Sequence, residues 1–350
     1  MSENFNEHRQ TVNICDNAEI FKFLNPNSND KLSNLNHSDL NEFLRLLDKY
    51  YLYMRERLGF DKFITFGLEI EFHEAMLERL NKRLKELLPG WEAIPETAAS
   101  NAGEIPTPIM YDTKAYWKKF SIACKLASEC GINAHNCGGH IHVGANILGQ
   151  NSSAWKNFIL LFTAYEHIIF RFCYGELLTE RESLYIFAEP LYTSFWNDIK
   201  SQINSSNDLE STIEILNRGW AHAVNLDNVT VPISSKLEFG NTIEFRNPNG
   251  SFNPIIWQNN LNLFINLLLY SKSPNFDDSR VLRRQKISYN NFYNLLDYRK
   301  IYLDQALELC DLIFTNNFDK VYFLRQYLKS FQIGKKTLDK AKRFTVTRNI

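Results

Sequence analysis

The chain has almost no charge bias: 39 lysines and arginines face 40 aspartates and glutamates over 350 residues, a net charge of −1. That balance gives no electrostatic reason to expect nucleic acid or a membrane surface as a partner. A cysteine framework is also missing. The six cysteines (Cys15, Cys124, Cys130, Cys137, Cys173 and Cys310) include no C-x-x-C pair and fit a reduced, cytoplasmic protein. No apolar signal core lies between Met1 and Gln10. The longest apolar run, Phe158 to Phe172, is broken by Thr163, Glu166, His167 and Arg171, which makes it a buried helix rather than a membrane span. No internal repeat or low-complexity block stands out.

Several catalytic signatures are absent as well. Neither G-x-x-x-x-G-K-[ST] nor a G-x-G-x-x-G after a strand occurs, so the P-loop and Rossmann readings fail. There is no zincin helix motif. A cupin would need a glutamate soon after His142, and Val143 to Gln150 contains none. A zinc amidohydrolase barrel would need further histidines after H-x-H, and only His167 and His222 follow.

What is present is a core-forming composition, 44% hydrophobic and 14% aromatic. A chain of this size buries roughly three quarters of its unfolded surface. Residues 1–37 are rich in Asn, Ser and Asp and read as a loosely ordered lead-in; residues 38–350 read as a single catalytic domain, with motifs in 63–270 and a helical part in 271–350. A helix is expected from about Asp39, capped there with Glu42 in support, and others over Met76–Leu88, Thr113–Cys130 and Pro254–Tyr270. Gly131 reads as the C′ glycine of the third of these. Extended segments are expected at 63–72, 140–143, 221–226 and 242–246, which gives an α/β or α+β domain with a sheet assembled from distant segments.

Three of those segments share a pattern: Glu69-Ile70-Glu71, His140-Ile141-His142 and Glu244-Phe245-Arg246. On a strand, each ionisable pair projects from one face while the middle residue enters the core. One E-x-E alone is ordinarily a solvent-facing edge, but three such pairs in one chain point to a shared surface. Crowded carboxylates repel unless cations neutralise them. Oxygen-rich donors with an imidazole suit Mg²⁺ or Mn²⁺ better than Zn²⁺, and an arginine beside them suits phosphoryl oxygens. The pattern therefore points to phosphoryl chemistry on a nucleotide.

Four segments in this order resemble the amidoligase family, which belongs with glutamine synthetase and glutamate–cysteine ligase. They are Gly67-Leu68-Glu69-Ile70-Glu71-Phe72, Gly103-Glu104-Ile105-Pro106-Thr107-Pro108, Cys137-Gly138-Gly139-His140-Ile141-His142-Val143 and Thr242 to Ser251. The resemblance implies an α+β fold, a glutamine synthetase-like curved antiparallel sheet with helices packed on its convex side. It implies ATP and Mg²⁺ (or Mn²⁺) on the concave face. By the family pattern Glu69, Glu71, Glu104, His140 and Glu244 would ligate metal. His142 would lie near the phosphates, with Glu71 also on the nucleotide side, and Arg246 would contact the γ-phosphate and later an acyl phosphate. Catalysis would then rest on Arg246, Glu244 and His142.

The implied reaction joins a small-molecule carboxylate (an amino acid, a peptide or a sugar uronate) to an amine or ammonia. The alternatives are another ATP-dependent phosphotransferase on the same scaffold or a non-catalytic metal- or nucleotide-binding protein. Two segments depart from the pattern. Glu96-Thr97-Ala98 stands where many members carry Asp-x-Ser, and Arg218-Gly219-Trp220 replaces an arginine–tyrosine element upstream of Asn225-Leu226. Both are expected near the acceptor. Asn225, Arg218 and Arg283-Arg284 are weaker substrate candidates. Trp117 and Trp155 read as core, Cys137 as a small packed residue, and the basic stretch from Lys335 to Arg348 as solvated surface.

Overall fold

The computed structural model describes residues 17–73, 75–96, 101–132, 137–174, 184–191, 202, 206, 208–233, 240–289 and 302–328. The basic C-terminal stretch, Cys15, Thr97 and Ala98 lie outside these residues.

Strand β1 (Phe66–His73) follows directly from the alternation in its sequence: Phe66, Leu68, Ile70 and Phe72 are buried, and the residues between them are half-buried. It pairs on one side with β3 (Ala102–Pro106) and on the other with β4 (Gly139–Gly144). The sheet is completed by β2 (Ile94–Pro95), β5 (Val224–Asn225) and β6 (Thr242–Phe245) in the order β2-β3-β1-β4-β6-β5, antiparallel throughout. The class is α+β, as expected. The first strand starts three residues later than the sequence suggests, because Phe63 and Ile64 are held in a turn by Asp61 and Phe63 stays 63% exposed. Of the segment expected at 221–226, only Val224 and Asn225 join the ladder.

One face of this sheet is apolar. Ile105, Ile141, Val143, Ile243 and Phe245 join the buried β1 residues. Helices α3 (Lys114–Cys130), α4 (Ser152–Ala164) and α8 (Pro254–Ser271) supply the matching surface. Phe66 stacks on Trp117 at 5.5 Å between ring centroids, and Phe245 stacks on Phe264 at 3.9 Å with Phe158 edge-on at 5.8 Å. Each such side chain contributes ~1.5–3 kcal/mol by leaving water. Trp117, Trp155 and Cys137 are all buried, as expected. Gly131 closes α3, but not as a left-handed cap: its φ is −153°. A Cβ there would lie 2.3 Å from the Phe72 ring, so close approach is what the glycine provides.

Further helices are α1 (His37–Lys49), α2 (Leu77–Leu87), α5 (Glu166–Cys173), α6 (Leu184–Phe187), α7 (Leu209–Leu216), α9 (Asp278–Tyr289), α10 (Leu303–Ile313) and α11 (Asn317–Leu328). The cap of α1 is Asn36, whose side chain accepts the Asp39 amide, rather than Asp39 itself. Within the stretch read as a loose lead-in, residues 17–37 are packed: Ile20, Leu24 and Leu32 are buried, and Asn17 exchanges two 2.8 Å hydrogen bonds with the Tyr51 backbone. Asp311 on α10 accepts from Leu32 N, Ser33 N and Ser33 Oγ at 3.0, 2.8 and 2.7 Å. Polar composition hid these tethers because backbone amides, not side chains, make most of them. Among the described residues, no helix is long and apolar enough to cross a membrane.

Candidate functional site

The opposite face of the same sheet carries the charge. Because side chains alternate, the ladder register decides which ionisable groups become neighbours. Glu71 stands opposite Glu104, Glu69 opposite His140, His142 opposite Glu244, and Glu244 opposite Asn225. Three strands, β1, β4 and β6, thus bring the E-x-E, H-x-H and E-x-R pairs onto one surface, with β3 and β5 adding Glu104 and Asn225. The glycine before His140 is forced by packing beneath it: a Cβ on Gly139 would lie 2.5 Å from the Trp257 ring.

Glu69 is the hub. One of its oxygens lies 2.7 Å from His140 Nδ1 and the other 2.9 Å from His142 Nε2. Burial works to raise its pKa, but the two imidazoles outweigh this and hold the carboxyl well below the usual range. His140 also approaches Glu71 through Nε2 at 3.2 Å and Glu244 through Nδ1 at 3.5 Å. For His142, burial opposes the charge, yet the Glu69 hydrogen bond and charge lift its pKa above the ordinary value. Thr242 Oγ1 lies 3.2 Å from its Nδ1. The Gly138 amide donates to Glu71 at 2.5 Å. Glu244 is 4% exposed; it accepts from Asn225 Nδ2 at 2.7 Å and from the Arg246 guanidinium. Arg246 Nε in turn donates to the Phe187 carbonyl at 3.1 Å.

Two sets of donors could each hold a cation. Ligand atoms of Glu69, His142 and Glu244 lie within 4.8 Å of one another, as do those of Glu71, Glu96 and Glu104. Glu104 records the cost of the second set. Burial, followed by the charges of Glu69, Glu96 and Glu71, pushes its pKa up to about 8. A carboxyl crowded by carboxylates is in the environment that a divalent cation relieves. Carboxylates with one imidazole, or with none, match a hard cation such as Mg²⁺ or Mn²⁺. The residues present therefore fit the implied metal.

The sequence residues distribute as follows. Glu69, Glu71, Glu104, His140, His142, Glu244 and Arg246 are brought together. The resemblance gives a metal to His140 and the phosphates to His142; both imidazoles converge on Glu69 and Glu244, His142 as part of a three-donor set and His140 through Nδ1 at 2.7 and 3.5 Å. Asn225, expected near substrate, is buried and bonded to Glu244. Arg218 is half-buried in the turn ahead of β5. Arg284 lies elsewhere, paired with Glu308 in the helical part, and Arg283 is exposed on α9. Two residues were missed. Glu96 joins Glu71 and Glu104, and the signal for it was the acid kept in first place where the family pattern has Asp-x-Ser. His73, next after Glu71 on the same face, is half-buried with Nε2 unpartnered.

Residues 97–268 match the family model described as "Putative amidoligase enzyme", the family that the motifs resemble. Glu69, Glu71 and Glu96 lie outside it. A solved structure described as "Crystal structure of novel glutamine synthase homolog" is similar at 12% identity over 80% of this chain and 70% of its own, with a TM-score of 0.32. No curated protein matches.

Proposed function

We propose that this chain, with residues 38–350 as one catalytic domain, is an ATP-dependent carboxylate–amine ligase that forms an amide through an acyl phosphate. The observation that carries the reading is the pair of carboxylate-rich donor sets on one sheet face, with a half-buried arginine at their edge. The match of residues 97–268 to the family described as "Putative amidoligase enzyme" supports the ligase class.

Glu69, His142 and Glu244 would hold one Mg²⁺ or Mn²⁺, and Glu71, Glu96 and Glu104 a second. When bound, the metals supply charge neutralisation and orientation of the triphosphate. Arg246 is held by Glu244 and the Phe187 carbonyl, so its guanidinium would meet a phosphoryl oxygen from a fixed position. Asn225 and Thr242 orient Glu244 and His142 in the same way that buried partners fix metal ligands generally. His140 bridges Glu69 and Glu71, which ties the two donor sets together. In the reaction, a carboxylate oxygen of the acid attacks the γ-phosphorus and ADP leaves. The amine then attacks the acyl carbon, phosphate departs, and the proton shed by the amine passes to a carboxylate or to water.

A screen of carboxylate and amine pairs tests the reading. ADP should accumulate beyond one equivalent per protein only when ATP, Mg²⁺, the acid and the amine are all present, and the product should have the mass of the amide. ADP release that needs no amine would instead assign a kinase-type phosphotransferase.

A further inference from the structure

We propose a second ligand site, away from the sheet: a cavity of about 510 Å³ that takes a small carboxylate with an apolar body, held by Arg55 and Arg57. The proposal stands apart from the ligase reading.

The cavity forms where the packed part of the lead-in meets residues 53–58 and the start of α11, and none of its lining residues belongs to the sheet. Helix α8 stands between the two places. Its Trp257 lies against Gly139 and its Phe264 against Phe245, while Gln258 donates to the Arg55 carbonyl at 2.8 Å and Asn262 to Asp319 at 2.9 Å.

Asp319 is fully met. Its carboxylate accepts from Arg55 Nη1 at 2.6 Å, Asn262 Nδ2 at 2.9 Å and Asn316 Nδ2 at 2.8 Å. Arg55 is not. Its side chain is only 8% exposed, yet Nε and Nη2 find no partner among the described residues. The Tyr322 and Phe318 rings lie 4.7 and 5.5 Å from its Cζ, which favours the charge but supplies no acceptor oxygen. Nε and Nη2 share one edge of the planar group, the edge that grips a carboxylate through two parallel hydrogen bonds. Buried donors left unpaired are costly, and Arg55 stands in a cavity wall where an oxyanion can pair them. Arg57 brings a second cation to the lining; it is exposed, and Glu56 between the two arginines is taken up by Lys114.

Charge and surface together choose the ligand. Two arginines against one aspartate leave the lining with one positive charge in excess. A carboxylate balances that charge, whereas a phosphomonoester would bring about −1.5 to −2 at pH 7. A carboxyl group alone fills little of the volume, and Phe21, Tyr53 and Phe318 border the rest, with Tyr53 45% exposed. Aromatic walls with a few placed polar groups suit a ligand whose remainder is apolar.

Calorimetric titration of the intact protein with 3-phenylpropionate, 3-phenylpropanol, phenyl phosphate and acetate tests this without turnover. 3-Phenylpropionate should bind at one site per chain, about tenfold tighter than any of the others. Arg55→Lys keeps a cation for Asp319 but loses the fork, and should weaken binding about tenfold. Arg57→Ala, at the surface, should weaken it about three- to fivefold. Arg246→Met, on the sheet face, should bind as wild type. No binding of 3-phenylpropionate, any other probe bound as tightly, or wild-type affinity in Arg57→Ala would each overturn the proposal. Loss of binding in Arg246→Met would overturn it too, by moving the ligand to the sheet. If circular dichroism shows Arg55→Lys unfolded, Arg57→Ala decides the matter alone.

Discussion

The two faces of this molecule treat buried carboxylates in opposite ways. In the helical part, Asp311 meets Lys320 at 2.8 Å, Asp319 meets Arg55 at 2.6 Å, and Glu308 meets Arg280 at 2.7 Å together with Arg284. Each anion there has a cation supplied by the chain. On the sheet face, Glu69, Glu71, Glu96, Glu104 and Glu244 gather round two imidazoles and the Arg246 guanidinium. The first arrangement is complete in itself and serves cohesion. The second is short of positive charge, and the same low dielectric that strengthens a pair makes that shortage expensive. The difference teaches where to look for function: at the carboxylates the fold has not matched.

If that contrast is real, removing a cation from the matched region should do the most damage to stability. Lys320 is fully buried against Asp311. Lys320→Met leaves Asp311 without its cation, with only the Leu32 and Ser33 donors, and should cost about 3–5 kcal/mol of unfolding free energy, as seen when one partner of a buried pair is deleted. Urea denaturation measures it, and a loss below about 1 kcal/mol would erase the distinction between the two regions. Glu69→Gln should do the reverse. Turnover should fall about a hundredfold or more in ADP-release assays, the scale of losing a preorganised charge at a reacting centre, with a smaller stability loss than Lys320→Met. Wild-type turnover at saturating Mg²⁺ would remove Glu69 from the site.

How much of this could be read beforehand follows from the range of the interactions. The period-2 pairs in β1, β4 and β6 were legible because alternation is a local property, and the α+β class followed from strands set between long helices. Local pattern does not fix ladder register. That His142, opposite Glu244, converges with Glu69 and Glu244 depends on how β4 meets β6, a hundred residues later in the chain. Glu96 was hidden because β2 has only two residues, Ile94 and Pro95, and shows no alternation. The anchoring of Leu32 and Ser33 on Asp311 was invisible for the same reason, since it joins positions about 280 residues apart through backbone amides.

The matched region also has an acid limit. His167, bonded to Gln305 at 2.6 Å, has its pKa driven down to about 4, chiefly by burial. The native state favours the neutral ring, so the unfolded chain, with an ordinary value near 6.5, takes up the proton first as pH falls. The stabilising contribution is full above about pH 6.5, declines through the window between the two values, and is gone near pH 4. The total is about 3 kcal/mol at 1.36 kcal/mol per unit. His167→Gln should flatten the decline in melting temperature over that window. An unchanged slope would mean that other groups set the acid sensitivity.

The smallest effect is the sharpest test of the contrast, because its sign should reverse with conditions. The Glu104 carboxyl is raised to about 8 by burial and by the charges of Glu69, Glu96 and Glu71. Ionising it in the cation-free protein therefore costs stability as pH climbs from the ordinary carboxylate value toward 8. Glu104→Gln removes that charge, and the cation-free variant should be the more stable protein above pH 8. The gain should be about 1 kcal/mol after allowance for the solvent that still reaches the group. Adding Mg²⁺ should reverse the order, since the wild-type carboxylate gains a partner that the amide binds poorly, and any ligand of the native state stabilises by mass action. Melting temperatures of both proteins with Mg²⁺ and with chelator decide it. A variant that is less stable in chelator, or that gains as much from Mg²⁺ as wild type, would show that Glu104 is an ordinary structural carboxylate and that the sheet face is not short of charge.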